Sequence, residues 1–198
     1  MSDINKDFAE VVKFHGHACP GLAFGFRATR LALAELGISR SGDEELVAVV
    51  ENNSCAVDAI QALAGCTFGK GNLIFRDYGK QVYTFINRAS NETVRVAVHW
   101  ESPAEEAEVQ EAWGSFMAGD RSTKVVKLVQ TAKKNKMAGI LAADDRELFK
   151  ISRPEVAMPT PARIYKSLTC RVCGEKVMEP KAEKGANGPV CIPCLAKA

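Results

Sequence analysis

The chain has 198 residues, 46% hydrophobic and 25% charged, which suits a packed globule and excludes a disordered chain. A net charge of +2 is too small to imply nucleic acid, and no apolar run approaches the ~20 residues of a membrane span. Residues 1–13 are polar and acidic where an export signal needs an apolar core, so the expected setting is cytoplasmic, with no membrane. From Arg163 onward the net charge is +4, against −2 for the remainder, which hints weakly at an acidic partner and more often marks a solvated surface.

Residues 4–13 predict a short helix with Phe8, Val11 and Val12 on one side. A loop holding Cys19 follows. Pro20, favoured at a first helical position, opens a long apolar helix to about Leu36, with Gly37 as its C-terminal stop. Cys19 therefore falls at a helix mouth, where partial positive charge favours a thiolate. Leu46–Val50 is a continuous apolar run of strand length, so a buried strand is expected. Ser54 is a candidate cap for a helix running to about Leu63, with Cys55 and Asp58 on one face. A glycine-rich loop over 65–73 carries Cys66. Strands are expected at 73–76, 81–87 and 93–98, the second with Val82, Thr84 and Ile86 facing one side. Ser102-Pro103-Ala104-Glu105 reads as a capping box opening a helix to about Met117, and a further helix from about Ser122 is stopped by Gly139. A short helix at 144–149 and an extended stretch at 150–156 precede a stiff linker with Pro154, Pro159 and Pro161. Helices interspersed with neighbouring strands suggest an α+β core with a mixed sheet. Two domains are expected, residues 1–162 and 163–198.

Four of the seven cysteines lie in the tail. Cys170 and Cys173 form one CxxC pair, Cys191 and Cys194 another, with seventeen residues between the pairs. This spacing fits a closed four-thiolate zinc site. The 185–189 stretch predicts a hairpin turn between the pairs. Val177, Met178 and Val190 are nearly the only apolar residues there, so a metal would supply what the core cannot. Two disulfides or a redox CxxC are the competing readings. The reducing compartment favours structural Zn2+.

The chemistry of the core domain gathers around residues 14–30. His15, His17 and Cys19 fall within five positions. If the loops converge on one sheet edge, His17, Cys19 and Cys55 hold one divalent metal, Zn2+ or another, and Cys66 or a water completes it. Asp58 would then orient a ligand or act as general base, making Cys19, His17 and Asp58 the candidate catalytic residues. The blander readings are real. Free cysteine is commonly a small buried hydrophobe, a reading as good as the functional one for Cys66, and His15 and His17 can simply bond loop backbone. GCTFGKG departs from the phosphate-loop spacing, leaving only a weak anion signal at Gly69, Lys70 and Gly71.

FHGHACPG at 14–21, CAVDAIQALAGCTFGKGNL at 55–73 and DYGK at 77–80 resemble the E-subunit family of formylmethanofuran dehydrogenase. The paired CxxC tail is similar to the zinc-finger extension that some members carry. The resemblance covers roughly residues 8–90 and 168–196. It implies a five-stranded mixed sheet flanked by helices in thioredoxin-like layering, a metal site in the core and a treble-clef or zinc-ribbon tail. Some members are encoded beside the molybdenum or tungsten formylmethanofuran dehydrogenase of methanogens, which reduces carbon dioxide onto methanofuran. No molybdopterin or iron–sulfur pattern is seen here, and the core has no CxxC.

Three functions follow as expectations. The first is a metal-binding accessory subunit of a formylmethanofuran-dehydrogenase-type system, with other dehydrogenase subunits as partners. The second is a stand-alone zinc enzyme acting on a small substrate. The third is a thiol- or metal-sensing regulator. A homodimer is expected from the long apolar helices.

Overall fold

Every residue of Leu46–Val50 (β1) is buried, as the apolar run predicts, because the strand lies inside a sheet. The computed structural model describes residues 4–185 and 188–197. Five strands make a mixed sheet: β1, Leu73–Phe75 (β2), Val82–Asn87 (β3), Thr93–Val98 (β4) and Phe149–Ser152 (β5). Their order is β2-β1-β3-β4-β5, with β1 and β2 parallel and the other pairs antiparallel. The architecture is α+β, with helices Ile4–His15 (α1), Pro20–Glu35 (α2), Ala56–Ala64 (α3), Ala107–Met117 (α4), Thr123–Ala142 (α5) and Asp145–Leu148 (α6).

The main core lies between α1, α2, α3, the C-terminal end of α5 and α6 on one side and the sheet face of Ala48, Val50, Tyr83, Phe85, Val94 and Val96 on the other. The opposite face holds Val47, Val49 and Ile86, with Ile74 and Met158 packed on them. This explains a departure from the sequence pattern. β3 sits third in the sheet and buries residues on both faces, so Tyr83 and Phe85 belong to the core alongside the expected Val82, Thr84 and Ile86.

Four further differences have local causes. Cys55, not Ser54, takes the N-cap position of α3, because the Ser54 hydroxyl donates to the Asn52 side chain instead. The expected capping box at 102–105 does not form: Glu106 is the N-cap of α4, and no side chain caps it. α5 runs past Gly139 to Ala142. A lone glycine costs a helix only about 1 kcal/mol, and the buried Arg27 guanidinium satisfies the last carbonyls by donating to Ile140, Leu141 and Ala143. Phe149, expected to close a helix, opens β5. The short helix before it carries a full capping box from Asp144 and Glu147.

The chain divides into two compact units, Met1–Pro161 and Ala162–Ala198. The second holds Ser167–Thr169 (β6) paired with Lys176–Met178 (β7), Ala182–Gly185 (β8) paired with Gly188–Cys191 (β9), and the short helix Ile192–Leu195 (α7). The turn expected over 185–189 includes residues 186 and 187, which lie outside the described residues. Among the described residues no helix is long and apolar enough to cross a membrane.

Candidate metal centres

α1 ends at His15, and Gly16 follows with φ +94°, a left-handed conformation that disfavours any residue with a Cβ. The Gly16 N–H donates to Val12 O, closing the last turn. The reversal brings the His17 ring to 4.5 Å from the His15 ring, centroid to centroid. Two residues on, Cys19 caps α2, and its sulfur accepts the Leu22 N–H at 3.4 Å. The thiol thus sits at the positive end of a sixteen-residue helix.

Cys55 arrives from the start of α3. It meets Cys19 because α2 and α3 approach closely through glycine. A Cβ on Gly21 would lie 3.4 Å from Cys55 Cβ, and one on Gly25 would collide with the backbone of Ala56. Donor atoms of His15, His17, Cys19 and Cys55 therefore lie within 4.8 Å of one another. His17 is exposed, and the other three are partly buried. Burial raises the Cys55 thiol pKa above its usual range, and the neighbouring Cys19 raises it further.

Asp58, one turn into α3, completes the arrangement. His15 Nδ1 lies 2.7 Å from Asp58 Oδ2, and Gln61 Nε2 donates to Asp58 Oδ1 at 3.2 Å. With Nδ1 so engaged, His15 Nε2 is buried and has no hydrogen-bond partner. A buried imidazole nitrogen without a partner is costly unless something accepts its lone pair. Two imidazoles and two thiols suit zinc or another borderline divalent ion, so the residues fit a metal.

The sequence reading expects His17, Cys19 and Cys55 to meet, and the structure brings those three together. It does not expect His15 as a fourth donor. The signal that could have found it is the H-G-H spacing, with Gly16 permitting the turn. Cys66 is elsewhere. Its side chain is fully buried and donates to Leu46 O, burial pushes its pKa up to about 12, and it does not belong to the cluster. Its buried strand-side environment explains this: the thiol is a core hydrophobe with one weak hydrogen bond. Lys70 is likewise committed to structure, donating to the carbonyls of Ser41, Gly42 and Asp43. His99 bonds the Arg146 carbonyl. A cleft of about 430 Å³ lies between Trp100, the 102–106 segment and α5, and none of the four clustered donors lines it.

In the second unit, donor atoms of Cys170, Cys173, Cys191 and Cys194 also lie within 4.8 Å of one another. The first pair sits on the turn between β6 and β7, where Gly174 takes φ +76°. Cys191 ends β9 and Cys194 lies in α7. Backbone N–H groups of Cys173, Cys191 and Val172 hold the Cys170 thiol down at about 6. The Cys191 thiol beside Cys194, together with burial and the other two cysteines, pushes Cys194 up to about 12. Crowded thiols of this kind cannot all ionise without a cation among them.

A probable S-adenosyl-L-methionine-binding protein of Archaeoglobus fulgidus is 30% identical over 201 residues, covering 98% of this chain and 54% of that protein. The chain thus spans about half the length of that relative. A crystal structure of a tungsten formylmethanofuran dehydrogenase FmdE-like protein from Syntrophus aciditrophicus has a TM-score of 0.62 and 20% identity, covering 100% of this chain and 94% of that one. At that identity the likeness shows the fold. Residues 14–150, most of the chain, match the family described as FmdE, Molybdenum formylmethanofuran dehydrogenase operon, and the chain belongs to the FmdE family.

Proposed function

We propose that this chain is a metal-binding accessory subunit of a formylmethanofuran-dehydrogenase-type system. His15, His17, Cys19 and Cys55 hold zinc or another divalent ion in the core, and the four tail cysteines hold a structural zinc in a ribbon-like module. The observation that carries the reading is His15, one of four residues whose donor atoms lie within 4.8 Å of one another, with its Nδ1 held by Asp58 and its Nε2 buried and unpartnered. That is the carboxylate–histidine arrangement that fixes a metal-ligating ring. Family membership supports the assignment to a dehydrogenase operon and other dehydrogenase subunits as partners.

A bound divalent ion would polarise a ligand or lower the pKa of a bound water. The residues supply the rest. Asp58 and Gln61 orient His15, the Leu22 N–H at the start of α2 holds the Cys19 sulfur, and exposed His17 leaves one side of the site open to solvent. That open side favours a second reading, a stand-alone zinc enzyme acting on a small substrate, with Cys19, His17 and Asp58 as its working groups. The division near residue 162 separates the two metal modules, the first for chemistry or metal handling and the second for docking, in a cytoplasmic homodimer.

Metal analysis tests the proposal. Wild type should hold one equivalent at each of the two clusters. Cys19→Ser should lose the core equivalent and keep that of the tail. An unchanged metal content in Cys19→Ser would remove the core site. Co-purification with the molybdenum or tungsten dehydrogenase subunits separates the accessory role from the stand-alone enzyme.

A further inference from the structure

We infer that Cys19 and Cys55 are a redox-active pair that closes to a disulfide when the core holds no metal. Both thiols are free, and neither is fully buried, so a small oxidant reaches them. Their sulfurs lie within 4.8 Å of one another. Each sits at the start of a helix, Cys19 before α2 and Cys55 before α3, so rotation about a side-chain bond moves a sulfur without disturbing a strand or helix interior. The glycine contact that brings α3 against the first turns of α2 fixes their backbones close together, with Cys55 Cβ 3.4 Å from the position of a Cβ on Gly21. The sulfurs must close to about 2.05 Å in the bonded state. Cys66, the remaining thiol of the first unit, is fully buried and donates to Leu46 O, so it does not compete.

The oxidant class is a low-molecular-weight disulfide, written RSSR. The Cys19 thiolate, supported by the Leu22 N–H, attacks one sulfur of RSSR, forms a mixed disulfide and expels RS⁻. The Cys55 thiolate then attacks the Cys19 sulfur and expels the second RS⁻. The protein loses two electrons, RSSR gains them, and the two thiol protons end on two RSH. The product bond takes two of the four donors away from the core cluster, so metal and disulfide exclude one another. That exclusion rests on the metal-binding reading above; the disulfide itself does not.

The test uses the full chain, stripped of metal with a chelator and incubated with glutathione disulfide, with a parallel sample resupplied with zinc. Trypsin releases Cys19 on residues 14–27 and Cys55 on residues 41–70. The expected product is these two peptides joined through Cys19 and Cys55, about 2 Da lighter than their sum, with fragment ions placing the bond at Cys55 and not Cys66. In Cys55→Ser the link should vanish and Cys19 should carry glutathione. Zinc should lower the linked fraction at least about tenfold. Cys19 and Cys55 recovered reduced, or each glutathionylated without a link, in metal-free protein would overturn the inference even where zinc binds normally. A link that forms in protein whose core takes up no zinc would overturn the metal reading and leave the thiol pair standing. A link that forms equally with zinc bound at the core would overturn the exclusion.

Discussion

Asp58 and His15 meet at 2.7 Å, Oδ2 to Nδ1, joining the first turn of α3 to the last residue of α1. The His15 side chain is 11% exposed and Asp58 37%. The contact engages Nδ1 and leaves Nε2 buried without a partner. Asp58→Asn keeps the shape and removes the charge that orients and enriches the imidazole. The expected result is a core metal affinity about 10–100-fold weaker, with the tail affinity unchanged. Competition against a chromophoric chelator reads both sites in one titration, and equal affinity in wild type and variant would separate Asp58 from metal binding.

Cys66→Ala should leave metal content unchanged, because its sulfur lies outside the cluster and bonds Leu46 O. The variant loses one weak hydrogen bond and a buried sulfur. A stability loss of about 1 kcal/mol is expected in urea unfolding. A missing equivalent of metal would return Cys66 to the ligand set.

Gly25→Ala should be more damaging than its chemistry suggests. Alanine favours a helix over glycine by about 1 kcal/mol, yet here the added methyl runs into the Ala56 backbone. The helices must part, so a net loss of about 1–3 kcal/mol is expected. Because the same contact holds Cys55 near Cys19, core metal affinity should fall with stability, which chelator competition measures. Stabilisation by the substitution would show that α2 and α3 do not pack this way.

The turn before β1 carries a pH prediction. The Ser41 hydroxyl, with backbone N–H groups of Glu45 and Asp43, lowers the Glu45 pKa to about 2. A carboxylate whose folded pKa lies below its unfolded value stabilises the fold above the latter, and loses that contribution as pH falls through the former. The contribution is therefore present above about 4.5 and lost toward about 2. Glu45→Gln should flatten this part of the acid limb in a series of thermal melts. An acid limb identical to wild type would contradict the hydrogen bonds to Ser41 and Asp43.

Removal of metal should unfold the tail and spare the first unit. Among the described tail residues only Cys170, Val190 and Cys191 are buried, too little apolar surface to order this segment. With chelator, amide protons of the β6–β7 and β8–β9 hairpins should exchange freely while those of β1 and β3 stay protected. Protected tail hairpins in metal-free protein would show that the module folds without an ion.

Local patterns were legible without coordinates wherever the cause is local. Pro20 after Cys19 fixed a helix mouth, LVAVV fixed a buried strand, and two CxxC pairs fixed where the tail sulfurs gather, since each depends on a few adjacent residues. Residues 102–105 carry a capping box that their surroundings do not use, and Gly139 lies in a helix whose end is held by an arginine distant in sequence. Membership of the FmdE family was also readable from the motifs at 14–21 and 55–73.

His17, Cys19 and Cys55 were named from the sequence, but the full membership of the core cluster was decided by tertiary structure. His15 joins it because Gly16 reverses the chain and Asp58 reaches across from another helix. Cys66 leaves it because its strand-side position points the thiol at Leu46 O. Cys55 reaches Cys19 because Gly25 lets α2 and α3 touch. A sequence states which donor atoms a chain owns. Which of them share one volume a few ångströms wide depends on helix contacts between distant segments, and no local pattern encodes those.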